Sequence, residues 1–147
     1  MELDQLDRDI LRILQKDGKI ACEDIAQRLE RSASTIRDRT RKLEERHVIL
    51  GYTTIVDEER LGVHSDAFVS AKMGSEDIMD AVTKLYTIEN ISEILHVTGE
   101  RRIMFRVKSH DNDELSEILD RRVRPLGFSS FEINVVLKSL VRYPGIP

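Results

Sequence analysis

One cysteine, Cys22, occurs among 147 residues, so no internal disulfide can form and no cysteine-built zinc site is expected. No stretch approaches the roughly 18 apolar residues of a membrane span. The opening MELDQLDRD is acidic and has no apolar signal region, so a cytoplasmic protein with no membrane partner is expected. There is no Gly-rich phosphate loop and no paired-carboxylate arrangement. The four histidines, His47, His64, His96 and His110, are scattered, with no metal-ligand spacing and no partnered nucleophile. Asp111-Asn112-Asp113 reads as a helix cap rather than an acidic site. These gaps predict no metal, no cofactor and no enzymatic activity.

Hydrophobic residues make up 40% of the chain, enough for a packed core in one domain or two small ones. Charged residues reach 34%, above the rough quarter of soluble proteins. The net charge of −4 argues at first against nucleic acid, but its distribution argues for it. Residues 1–30 carry five basic against eight acidic side chains. Residues 31–46 carry six basic (Arg31, Arg37, Arg39, Arg41, Lys42, Arg46) against three acidic (Asp38, Glu44, Glu45). Phosphate binding depends on such a local basic face, not on the total. The low overall charge predicts weak non-specific binding that salt removes readily.

Three helices are predicted in the first 50 residues. The first covers 4–17: Asp4 caps it, Leu6, Ile10, Ile13 and Leu14 form its stripe, and Gly18 supplies the stop. The second covers 22–29, with Ile25 and Leu29 inward and the small Ala26 permitting close approach. After the break at Glu30-Arg31, Ser32 caps the third, SASTIRDRTRKLEER. At about 100° per residue Ile36, Thr40 and Leu43 stack on one side, while Ser34, Arg37, Asp38, Arg41 and Lys42 lie on or beside the other. Alone, this helix reads as a solvated amphipathic element. Behind a short helix and a tight turn, it reads as the recognition element of a helix-turn-helix.

Ile49 to Val56 reads as a strand, and Asp57 to Gly62 as a polar connector. Beyond it the pattern becomes β-α-β-β-α-β: a strand over 66–73, a helix over 77–86, strands over 91–98 and from Ile103, a helix over 113–123 and a last strand from Phe131 to Leu140. This is a ferredoxin-like split βαβ unit. Its helices would cover one sheet face. The other would carry Phe68, Ile94, Met104 and Val136 among Ser70, His96, Arg106 and Asn134, apolar enough to call for a second subunit.

In this order and spacing, LDQLDRDILRILQKDGK, SxSTIRDRTRKLE, ILGYTTIVD and the VTG turn resemble the Lrp/AsnC, or feast/famine, transcriptional regulators over essentially the whole chain. The resemblance implies an α+β protein: an N-terminal winged-type helix-turn-helix plus a C-terminal ferredoxin-like βαββαβ sandwich domain. Residues 1–50 would form the DNA-binding domain, 51–63 a strand and linker, and 64–147 the effector-sensing and oligomerisation domain. Such proteins dimerise through their sheets, often assemble into octamers, and bind pseudo-palindromic double-stranded promoter DNA under control of a small molecule, usually an amino acid. Ser32, Ser34, Thr35, Arg37, Asp38 and Arg41 would then serve the groove. Arginine can bond guanine O6 and N7 together, and Ser and Thr serve bases or phosphates. Lys42 and Arg46 would meet phosphate, and Arg39 would pair with Glu44 or Asp38. Glu30-Arg31 departs from the family's usual Gly and apolar residue at the turn.

The effector site, by the same resemblance, involves Thr98, Gly99, Glu100, Arg101, Arg102 and Phe131. Family members commonly read G-D-x-D-x where this chain reads Gly99-Glu100-Arg101-Arg102-Ile103, and T-x-T where it reads Phe131-Glu132-Ile133. A carboxylate and two hydroxyls that could accept from an amino-acid ammonium are absent. The expectation is an anionic ligand meeting Arg101 or Arg102, or regulation by concentration or a protein partner; two exposed arginines in a hairpin turn are the plainer alternative. Two other functions share the architecture, a DNA-wrapping architectural protein and a haem-precursor decarboxylase, and the scattered histidines disfavour the second.

Overall fold

The computed structural model describes residues 2–74 and 77–140. They divide into two compact units, one of the residues up to Ile55 together with Leu140 and one running from Val56 to Ser139. Residues 141–147, assigned above to the C-terminal domain, lie outside the described residues.

The first unit is built from α1 (Gln5–Lys16), α2 (Cys22–Leu29) and α3 (Ala33–Glu45). A capping box closes the start of α1: the Asp4 side chain accepts from the Asp7 backbone N–H, and the Asp7 carboxylate accepts from that of Asp4. Its stop differs from expectation. Asp17 is extended at φ −146°, ψ 95°, and its carboxylate accepts from the Lys19 N–H at 3.0 Å, so an Asx turn ends the helix and Gly18 does not adopt a left-handed conformation. Ile10, Ile25, Ala26, Ile36 and Leu43 form the core, with Leu6, Ile13, Leu14 and Leu29 packed around it.

Glu30 ends α2 in the left-handed region, at φ 52°, ψ 49°. The Arg31 N–H donates to the Ala26 carbonyl at 3.0 Å, closing the helix in the manner of a Schellman motif. The turn therefore keeps the conformation that glycine would favour, with a glutamate in it. His47 repeats this after α3, at φ 54°.

Among the described residues no strand runs over 49–56. Instead Ile49 donates its N–H to the Leu43 carbonyl and packs on the helical core. The Tyr52 hydroxyl donates to Glu44 at 2.7 Å. The apolar alternation that suggested a strand leaves Leu50, Ile55 and Val56 exposed.

The second unit holds an antiparallel sheet of β1 (Ser65–Met73), β2 (Ile91–His96), β3 (Ile103–Ser109) and β4 (Phe128–Val135) in the order β2-β3-β1-β4. Its helix layer contains α4 (Ile78–Tyr86) and α5 (Asn112–Glu117). Asp111 caps α5, accepting from the Glu114 N–H at 2.8 Å. The helix expected over 113–123 changes pitch. It continues as a wide π turn over Ile118–Val123, which places Ile118, Leu119 and Val123 all in the core, and tightens to a 3₁₀ turn over Arg124–Leu126. Gly127, at φ 94°, then reverses the chain into β4.

β4 begins three residues earlier than expected because Phe128 is its buried anchor, packed edge-to-face on Phe105 with ring centroids 6.3 Å apart. Ser130, at φ 53°, lies where the β1–β4 register shifts. Along β1 and β3 the alternation follows expectation: Ala67, Val69, Ala71, Ile103, Phe105 and Val107 face the helices. On β2 it does not. The register shifts between Ile91 and Glu93, so Ile94 pairs with the inward Phe105 and His96 with the inward Ile103. Glu93 and Leu95, opposite Arg106 and Met104, take the open face in their place.

Candidate nucleic-acid interface and effector turn

On α3 the buried Ile36 and Leu43 fix the rotation of the helix, and Arg37, Asp38, Arg41 and Lys42 between them point away from the core. The Ser32 hydroxyl accepts from the Thr35 N–H at 3.2 Å and lies 2.7 Å from the Thr35 hydroxyl and 3.0 Å from that of Ser34. The three hydroxyls expected at the groove thus gather at the helix N-terminus, where backbone N–H groups and the helix dipole favour a phosphate.

Arg37, Asp38, Arg41, Lys42 and Arg46 are all exposed. Arg37 Nη2 lies 2.8 Å from Glu23 Oε1 on α2. Arg41 lies 3.4 Å from Asp38 and 3.9 Å from Glu45, along its own helix. Arg39 stands apart from this group. It pairs with neither Glu44 nor Asp38; its Nη1 is 2.6 Å from Asp4 and 3.1 Å from Asp7, tying α3 to the cap of α1. The hydrogen bond that Arg39 donates to Asp4 raises the Arg39 pKa above its ordinary value. The partners expected for Arg39 were local, at i−1 and i+5. The signal missed was an unpaired acidic pair at the start of another helix. Thr40 is inward as expected, but its buried hydroxyl has no hydrogen-bond partner.

At the other site, the turn between β2 and β3 is closed by the Val97 N–H donating to the Arg102 carbonyl at 2.8 Å, with Gly99 at φ 101°. Glu100 pairs with Lys72 of β1 at 2.6 Å, and this contact draws the Glu100 carboxyl below its ordinary pKa. Arg101 donates through Nε to the Ser130 carbonyl and through Nη1 to Glu132, both at 2.8 Å. Lys72 and Glu132 are thus parts of this cluster that the sequence reading did not include. The Phe131 ring does not join the turn. It packs against the helix-side core, with the Arg124 guanidinium 5.0 Å above it. Thr98 and Arg102 are exposed. Among the described residues no group of three or more His, Cys, Asp or Glu side chains is placed to hold a metal ion, and no helix is long and apolar enough to cross a membrane.

Comparison with known proteins accounts for both units. A winged helix-turn-helix DNA-binding model matches residues 3–49, and an Lrp/AsnC ligand binding domain model matches residues 66–146. An HTH-type transcriptional regulator FL11 of Pyrococcus abyssi is 32% identical over 95% of this chain and 92% of its own length. The structure of AsnC from E. coli superposes with a TM-score of 0.87 at 26% identity, covering 97% of each chain. A feast or famine regulatory protein from M. tuberculosis, complexed with L-methionine, superposes with a TM-score of 0.90 at 26% identity, again covering 97% of each. By its ligand-binding domain, its helix-turn-helix and these relatives, the chain belongs to the Lrp/AsnC family of helix-turn-helix transcriptional regulators.

Proposed function

We propose that this regulator reads pseudo-palindromic promoter DNA in the cytoplasm as a dimer or higher oligomer, without catalysing a reaction. Ser34, Thr35, Arg37, Asp38 and Arg41 enter the groove, Ser32 supports them at the helix N-terminus, and Lys42 and Arg46 meet phosphate. The observation that carries this reading is the rotation of α3: burial of Ile36 and Leu43 turns Arg37 and Arg41 outward on a helix capped by a hydroxyl cluster. Residues 1–50 act as the DNA-binding part, 51–63 as connector and 64–147 as the sensing and assembly part. A second copy covers the open sheet face, where Phe68, Leu95, Met104 and Val136 surround the Arg106–Asp66 ion pair.

The effector of this chain is not a free neutral amino acid. Glu100 is paired with Lys72, so the acid that would meet an ammonium is already neutralised. Arg101, held by Glu132 and the Ser130 carbonyl, keeps further N–H donors, and it and the exposed Arg102 are the cations for an anionic ligand. Titration calorimetry with leucine and methionine tests this; micromolar binding of either would overturn it. Gel shift with Arg37→Ala and Arg41→Ala tests the groove assignment, and footprinting separates a few protected half-sites, as expected here, from the continuous protection of a DNA-wrapping protein.

A further inference from the structure

Arg37 and Glu23 form an ion pair between the two helices of the motif, fourteen residues apart in sequence. Their side chains are 64% and 63% exposed, so the pair adds little to stability. Its position gives it another use. A guanidinium carries five N–H donors in a planar fork, and Glu23 engages Nη2 alone. Enough donors remain for the two-bond contact with guanine O6 and N7. An arginine with no brace is drawn to backbone phosphate, the strongest and least selective partner on DNA. A carboxylate 2.8 Å away opposes this, because it repels phosphate and holds the fork in one orientation.

We propose that Glu23 is a specificity-determining positioning residue: it braces Arg37 toward base edges and keeps that guanidinium off the phosphates. The inference rests on Arg37 facing the groove. It makes Glu23 a residue that weakens binding to DNA at large while sharpening choice among sequences.

The test begins with a duplex enriched by the wild-type protein from a random-sequence pool, compared with a scrambled duplex of equal length over a range of salt. Glu23→Gln should bind the scrambled duplex about 3–10-fold more tightly and the enriched duplex no more tightly, with the lost preference confined to one base pair on substitution scanning. Asp24→Asn removes a charge one residue away and should keep the wild-type preference. Adding Glu23→Gln to Arg37→Ala should change the preference no further. If Glu23→Gln keeps the wild-type preference, or Asp24→Asn loses it equally, while Arg37→Ala still weakens binding to the enriched duplex, the brace is disproved and the groove reading survives. If Arg37→Ala binds the enriched duplex as well as wild type does, the groove reading fails and the brace with it. Far-UV circular dichroism of each variant checks that the helices are intact.

Discussion

Arg39 reaches from the middle of α3 to Asp4, the capping residue of α1, and its Nη1 also touches Asp7, whose side chain is almost fully buried. The same carboxylates that close the capping box thus hold the recognition helix against the first helix. The Asp7 backbone N–H, and then Arg39, keep the Asp4 carboxyl below the usual carboxylate range. A depressed pKa means stability that is present above the ordinary value and is lost as pH falls through the folded one. Arg39→Ala should lower the melting temperature at neutral pH by roughly 2–4 °C. On acidification below about pH 4 the variant and wild-type curves should converge. A gap that stays constant down to pH 2 would remove the ion pair from the explanation.

The opposite end of the pH scale tests Tyr52. Partial burial and its hydrogen bond to Glu44 push its phenol up to about 12. Between the ordinary phenol value near 10 and that point the unfolded chain releases the proton and the folded chain keeps it. Stability of the first unit should fall as pH rises through this window. Tyr52→Phe should be less stable at pH 8 yet flatter above pH 10, as followed by denaturant midpoint.

Glu30 occupies a left-handed conformation that costs an L side chain energy and costs glycine little. Glu30→Gly should therefore stabilise the protein by about 0.5–1 kcal/mol, although it adds backbone freedom to the unfolded chain. Urea unfolding would show the midpoint rising; a fall would mean that the Glu30 side chain makes a stabilising interaction in solution.

Thr40 buries a hydroxyl without a partner. Valine has nearly the same shape and no polar group to desolvate, so Thr40→Val should gain about 1 kcal/mol. Unchanged or reduced stability would place an ordered water on that oxygen.

Arg37→Ala and Arg41→Ala should each weaken binding to the enriched duplex by roughly 1–3 kcal/mol if they read bases. Lys42→Ala should weaken all sequences alike and reduce the salt slope by about one. Fluorescence anisotropy at several salt concentrations separates the two behaviours.

Much of this fold was legible because helix stripes and strand alternation have different periods. Ile10, Ile25, Ile36 and Leu43 were identifiable as core from spacing alone, as were Ala67, Val69 and Ala71. What escaped was set by backbone geometry that side-chain type does not report. The bulge in β2 moved Ile94 and His96 to the helix side, and the left-handed Ser130 accompanied an earlier start of β4. The segment 49–56 alternated like a strand, yet Ile49 folded back onto the helical core. At the candidate site the outward arginines followed from helical phase. The acidic partners of Arg37 and Arg39, namely Glu23, Asp4 and Asp7, did not, because they come from the other two helices and their caps.

The irregularity in β2 makes Ser92 a residue that the strand can lose. Glu93 already stands opposite Arg106, the neighbour of Val107, which pairs with Ile91, so deleting Ser92 would leave every later pair of β2 on its present face. Deleting Ile94 instead would draw Leu95 opposite the inward Phe105 and turn His96 to the open face. A library of single-residue deletions should therefore tolerate the loss of Ser92 and not that of Ile94. In this strand the count of residues, more than their identity, encodes which surface the protein presents.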